Sequence, residues 1–172
     1  MKVSMRVSRA LILVAVFGGV AAAALCASPA AINLPSLQSS FSDWDGTYNE
    51  FLESWTFQKF TPSEGEDYLP STFYVDSRPR GDAGSFDDYA KNLMKNDWLD
   101  LTYVWTEISS KEKFADGFLF VGKSKDYKDP KAVAQPAFVM VRMFKNVAIV
   151  CKGDAVDTTI LGEAIAFCKA IK

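Results

Sequence analysis

Hydrophobic positions along this chain change period several times, and each change marks an element. In DWDGTYNEFLESW, Trp44, Tyr48, Phe51, Leu52 and Trp55 recur at helical spacing, and Thr47 with Glu50 has the form of a capping box. A short helix from about Tyr48 is therefore expected. WTFQKF also alternates, with Trp55 and Phe57 on one face, so a strand competes with the helix and the boundary near Ser54 stays open. TPSEGEDYLP reads as a loop, STFYVDS as a strand and RPRGDAG as a turn-rich connection. In SFDDYAKNLMKN, Ser85 and Asp88 cap a helix whose stripe is Phe86, Tyr89, Ala90, Leu93 and Met94.

The second half alternates more plainly. LDLTYVWTEI sets Leu99, Leu101, Tyr103 and Trp105 against Asp100, Thr102 and Thr106, one face for the core and one for water. SSKEKFADG reads as a turn, FLFVGK as a strand, and a lysine-rich loop runs from Lys123 to Pro136. AFVMVRMF and VAIVC form a hairpin around Lys145 and Asn146. The last helix starts at an Asp157 or Thr158 cap and carries Leu161, Ala164, Ile165, Cys168 and Ile171 on one stripe. This order predicts the α+β class: an antiparallel sheet of at least four to five strands flanked by helices, with the C-terminal helix packed on the sheet.

The N-terminus changes what the rest of the chain is for. Lys2, Arg6 and Arg9 precede an uncharged run from Ala10 to Ala27, the order a secretory signal peptide requires. Cleavage is expected after Ala27, with Ala22-x-Ala24 as the alternative site. An uncleaved anchor would need the same apolar length, but the run is rich in Ala and Gly. The domains are then a signal peptide over 1–27, a flexible lead-in over 28–42 and a single α+β domain over 43–172. Removing 27 of 172 residues leaves 145, enough for one core. It also removes three basic charges, taking the net charge from −2 to −5. That balance argues against nucleic acid and against any membrane contact beyond the signal segment. The expected location is the periplasm or the exterior. Lipidation at Cys26 is the alternative, opposed by the bulky Leu25 before it.

Loss of Cys26 leaves Cys151 and Cys168 in a chain bound for an oxidising compartment, which points to a disulfide between them. Cys151 shares a strand face with Val147 and Ile149, and Cys168 lies on the helical stripe, so both sulfurs face inward. Two buried free thiols are the alternative.

Several short motifs match a pattern without its context. GFLFVGKS from Gly117 to Ser124 fits the phosphate-loop spacing, but its four middle residues favour a strand and no helix follows. Arg80-Gly81-Asp82 is a three-residue match that a turn explains. DWDGTYNE resembles half of a calcium loop and lacks its late Glu.

The chain contains no His, which removes the usual base near neutral pH and the Ser-His, Cys-His and mixed zinc sites. No catalytic residue, metal ligand or cofactor is assigned. The best local candidate for a contact surface is the lysine-rich loop, where Lys123, Lys125, Lys128 and Lys131 surround Tyr127 in an otherwise acidic protein.

The succession from about Trp55 to Lys172, with FYVDS, a capped helix, a run of strands and a terminal helix after VAIVC, resembles the PsbP and DcrB group of small exported α+β proteins. The resemblance implies an antiparallel sheet flanked by helices and an accessory, adaptor or envelope role without shared catalytic residues. The function expected is that of an exported, non-enzymatic protein that binds another protein, as an envelope accessory factor or an inhibitor or immunity protein. A small hydrolase using carboxylates or a Ser-Lys pair, and a carrier of a small apolar ligand, are the alternatives.

Overall fold

At the start of the domain, alternation wins over helical spacing. The computed structural model describes residues 41–62, 68–95, 103–129 and 131–172. Strand β1 (Asp45–Asn49) pairs antiparallel with β2 (Ser54–Pro62), so the helix expected from Tyr48 is a hairpin instead. The reason is local. Asn49 Oδ1 accepts from the backbone N–H groups of Phe51 and Leu52, both at 3.0 Å, which satisfies the turn that a helix cap would otherwise have served. Tyr48 sits opposite Trp55 with ring centroids 5.4 Å apart, a cross-strand pair that the helical reading had placed on one stripe.

β3 (Tyr68–Pro79) follows, longer than STFYVDS and running into both flanking segments read as connections. A 3-10 turn over Arg80–Asp82 leads to α1 (Phe86–Asn92), where Ser85 and Asp88 form the expected capping box. β4 (Tyr103–Phe114) and β5 (Gly117–Asp126) make a hairpin whose reversal is only Ala115 and Asp116. The segment SSKEKF is therefore strand and not turn. It looks like a turn because β4 is an edge strand with polar residues on both faces from Ser109 to Lys113, the usual dress of an exposed edge. β6 (Gln135–Met143), β7 (Val147–Asp154) and α2 (Thr158–Ala170) complete the chain. The signal segment, Cys26, most of the lead-in, and Leu99 to Thr102 lie outside the described residues.

The seven strands form one antiparallel sheet in the order β1-β2-β3-β7-β6-β5-β4. Among the described residues, each face carries one α-helix. On the first face, Phe57, Phe73, Val75, Leu119, Phe138, Met140, Ile149 and Cys151 pack under α2 through Ile160, Leu161, Ala164, Phe167 and Cys168. Phe41 joins them, its ring 5.1 Å from Phe167, so core packing already includes residue 41. On the second face, Phe118, Phe120, Val139, Val141, Ala148 and Val150 pack under Tyr89 and Leu93. β6 and β7 are buried on both faces, which is why AFVMV and AIVC read as continuous apolar runs.

α2 is fixed at both ends. Asp157 Oδ1 accepts from the N–H groups of Thr159 at 2.7 Å and Ile160 at 2.9 Å, an N-cap. At the far end, Arg142 donates to the carbonyl of Lys169 at 2.8 Å while its other nitrogens hold the Asp116 carboxylate of the β4–β5 turn. Midway, Glu163 accepts from Lys59 Nζ at 2.7 Å and Trp44 Nε1 at 3.3 Å, tying the helix to β2 and to the segment before β1.

Candidate recognition cleft

The seven-residue α1 covers only part of the second face, and the sequence along the strands changes where that cover ends. β5 presents Phe118 and Phe120 under the helix and then Gly122 and Ser124. β6 presents Val141 and Val139 and then Ala137. β7 presents Ala148 and Val150 and then Lys152 and Asp154. Large apolar side chains thus give way to small and polar ones, and the face sinks into a cleft of about 520 Å³, partly open to solvent. Its walls are Tyr74, Tyr103 and Trp105, and its polar groups include Thr72, Ser124, Lys152 and Asp154.

β4 shapes one wall. Its pairing with β5 shifts register between Trp105 and Glu107 and again between Ile108 and Ser110, so the strand bends as bulged strands do. The bend brings the Glu107 carbonyl onto Gly122, where a Cβ would collide with it. Glycine at 122 is needed for this close approach, and the phosphate-loop look-alike is simply β5 passing from the helix-covered patch to the cleft floor.

A second, more polar concavity of about 980 Å³, also open, adjoins the first. Leu52, Glu53 and Ser54 from the β1–β2 turn line it, with Asp76 and Arg78. The latter two are ion-paired at 3.2 Å. Tyr74 and Lys152, register partners on β3 and β7, line both spaces, so the two make one trough. From β2 to β4 it crosses five strand spacings, roughly 24 Å.

Electrostatics differ along the trough. Burial pushes the Asp154 carboxyl up from its ordinary 3.8 to about 6. Under α1, burial likewise pushes the Tyr89 hydroxyl up to about 12, with a smaller lowering by Arg78 and a smaller raising by Asp76.

The residues singled out from sequence fall elsewhere. Lys123 and Lys125 are in β5, not in a loop, on the side of the strand away from the cleft. Lys123 pairs with Glu107 at 3.4 Å. The connecting segment is thus shorter than expected, because β5 continues to Asp126 and β6 begins at Gln135. Tyr127, Lys128 and Lys131 do lie in it, exposed, where Asp126 and Asp129 accept from the N–H groups of Lys128 and Lys131 at 2.7 and 2.8 Å. Arg80 of the RGD stretch donates to the Phe144 carbonyl at 3.3 Å, a structural use.

Cys151 and Cys168 are brought together in the first-face core, fully buried and as free thiols; the bond expected from the sequence is not formed in this structure. Burial, and then the contact with Cys151, raises the Cys168 thiol well above its ordinary value.

Among the described residues, no three side chains of metal-ligating type gather, and no helix is long and apolar enough to cross a membrane. What the fold and the cleft define, among the described residues, is a two-faced antiparallel sheet with a recess beside the helix of its second face, rimmed by aromatic side chains. No model of a known protein family matches the chain, and no curated protein matches it either.

Proposed function

We propose that this is an exported, non-enzymatic binding protein of the α+β class, of the architecture suggested by the PsbP and DcrB resemblance, and that it recognises another protein through the trough. The observation that carries this reading is the half of the second face that no helix covers among the described residues, where aromatic walls flank a floor of small residues. Such a surface offers anchoring pockets with little side-chain entropy to lose, since Tyr and Trp have few rotatable bonds. The trough combines an apolar recess at the Trp105 end with mixed charges at the Arg78 end. That combination suits a segment of protein better than a uniformly charged polymer. A disulfide between Cys151 and Cys168 belongs to the same reading, because export supplies the oxidant and the core already holds the two sulfurs in contact.

The lining argues less well for catalysis. Ser124 and Lys152 both border the first cleft, but Lys152 is level with Phe120 through Val139, four residues along from Ser124 and two strands across. Strand geometry then separates their Cα atoms by roughly 17 Å, too far for a Ser-Lys pair.

The lining of the recess favours a second reading, a carrier of one small apolar ligand, because sites for such molecules are lined mainly by apolar and aromatic side chains with a few polar groups. One comparison separates the two readings. Tyr103→Ala and Trp105→Ala are made in the full chain, and bound material is examined by native mass spectrometry and by quantitative retention of partner protein from an envelope extract. Loss of a stoichiometric protein in the variants supports the first reading. A small molecule that leaves with the aromatic rings supports the second, and equal retention by variant and parent defeats the trough as the site.

A further inference from the structure

The β1–β2 turn carries a feature that neither folding nor the cleft accounts for. Phe51 is 94 % exposed and Leu52 64 % exposed, side by side at the tip of the hairpin. Single exposed apolar residues are ordinary on protein surfaces, but an aromatic ring almost wholly in water beside a second large apolar residue is not what a turn requires. Glu53 at the end of the turn adopts a positive φ of 49°, a conformation that Gly would take without strain.

The tip is also held still. Asn49 Oδ1 pins the N–H groups of Phe51 and Leu52, and Asn49 pairs with Ser54 at the base of the loop. One residue below, Tyr48 and Trp55 pack against each other, and Trp55 stacks on Phe57 of the core at 6.0 Å between centroids. An apolar group presented on a rigid support loses little freedom on binding, which is the property of an interface anchor. Leu52 also lines the trough, so the tip is continuous with the surface described above.

The flanking residues say what it meets. Glu50 and Glu53, both exposed, put a carboxylate on each side of the apolar pair. They repel an anionic lipid surface and complement a pocket with basic groups at its rim.

We propose that the β1–β2 tip is a docking finger: Phe51, with Leu52 beside it, enters an apolar pocket of a protein partner whose rim carries Lys or Arg facing Glu50 and Glu53. The inference rests on the protein-partner reading and adds a second contact point to it.

The test places a photoreactive benzoylphenylalanine at position 51 of the full chain in the source cells, with separate probes at Tyr103 and at the exposed Lys111 of β4. The expected result is one adduct from position 51 with a protein other than this chain, at an apolar peptide bordered by Lys or Arg. It should be lost when Glu50→Lys and Glu53→Lys are combined, and be absent from position 111. Phe51→Ser should leave the thermal midpoint unchanged and lower retention of the crosslinked protein at least tenfold. An adduct from position 103 with none from 51 leaves the partner reading standing and overturns the finger. No adduct from either position overturns both. A product with a second copy of the chain or with lipid, or retention unaffected by Phe51→Ser, also overturns the finger.

Discussion

Cys168 faces Cys151 across the seam between α2 and β7, with both thiols fully buried. The contact lies where a covalent link would fasten the last helix to a strand that pairs with both of its neighbours. Protein recovered from its exported form, unfolded without reductant and alkylated, should take up no label, and two labels after reduction. Two labels before reduction would show the thiols remaining apart. If the bond forms, its loss should lower stability by about 3 kcal/mol on the chain-entropy account, since it closes a loop of about 17 residues.

Asp154 makes stability depend on pH in an unusual direction for a carboxylate. Because burial raises its folded-state value from 3.8 to about 6, the folded protein holds the proton more tightly than the unfolded chain. Its contribution is fully present below about pH 4, is lost as pH rises through 6, and is constant above that. Asp154→Asn should flatten this descent and be more stable than the parent at pH 7 by about 2 to 3 kcal/mol. Urea unfolding of both proteins at four pH values between 4 and 7 measures the difference, and parallel curves would contradict it.

Gly122 should tolerate no side chain. Gly122→Ala drives a methyl into the Glu107 carbonyl of the bulged edge strand, and the expected cost is about 1 to 3 kcal/mol, as for overpacked sites. Displacement of β4 should also move Trp105, so a change in tryptophan fluorescence is expected to accompany the lower thermal midpoint.

Arg142 holds together three pieces of chain: β6, the Asp116 turn and the last carbonyls of α2. Its side chain is largely buried, and Arg142→Lys keeps the charge but not the forked geometry. A loss of about 1 to 2 kcal/mol is expected, from charge-assisted bonds no longer made. Fraying should be concentrated at the end of α2, visible as faster amide exchange near Lys169.

The legible parts of the sequence were those whose local chemistry agreed with their surroundings. Ser85 and Asp88 announce α1, and Asp157 with the Leu161 to Ile171 stripe announces α2, because cap and burial point the same way. The Thr47 and Glu50 pair misled for the opposite reason: its spacing is that of a capping box, while Asn49 closes a turn and Trp55 pairs back onto Tyr48, contacts that only a strand allows. The second half of β4, Ser109 to Phe114, was hidden by its position, since an edge strand with polar residues on both faces loses the alternation that identified its first half. The cleft could have been found by following one face along neighbouring strands, where Phe118 and Phe120 give way to Gly122 and Ser124. That required knowing the register, which no single segment contains.

The place of β7 in the sheet has a consequence for how the molecule comes into being. β7 is the last strand in the chain, yet it lies between β3 and β6 and hydrogen-bonds to both. Until it arrives, a chain appearing N-terminus first consists of two separate ribbons, β1 to β3 and β4 to β6, each with an unsatisfied edge and no α2 to cover its apolar face. Completion is thus a single late event, the insertion of a keystone, and an interrupted copy lacking its final 26 residues would expose two adhesive borders at once.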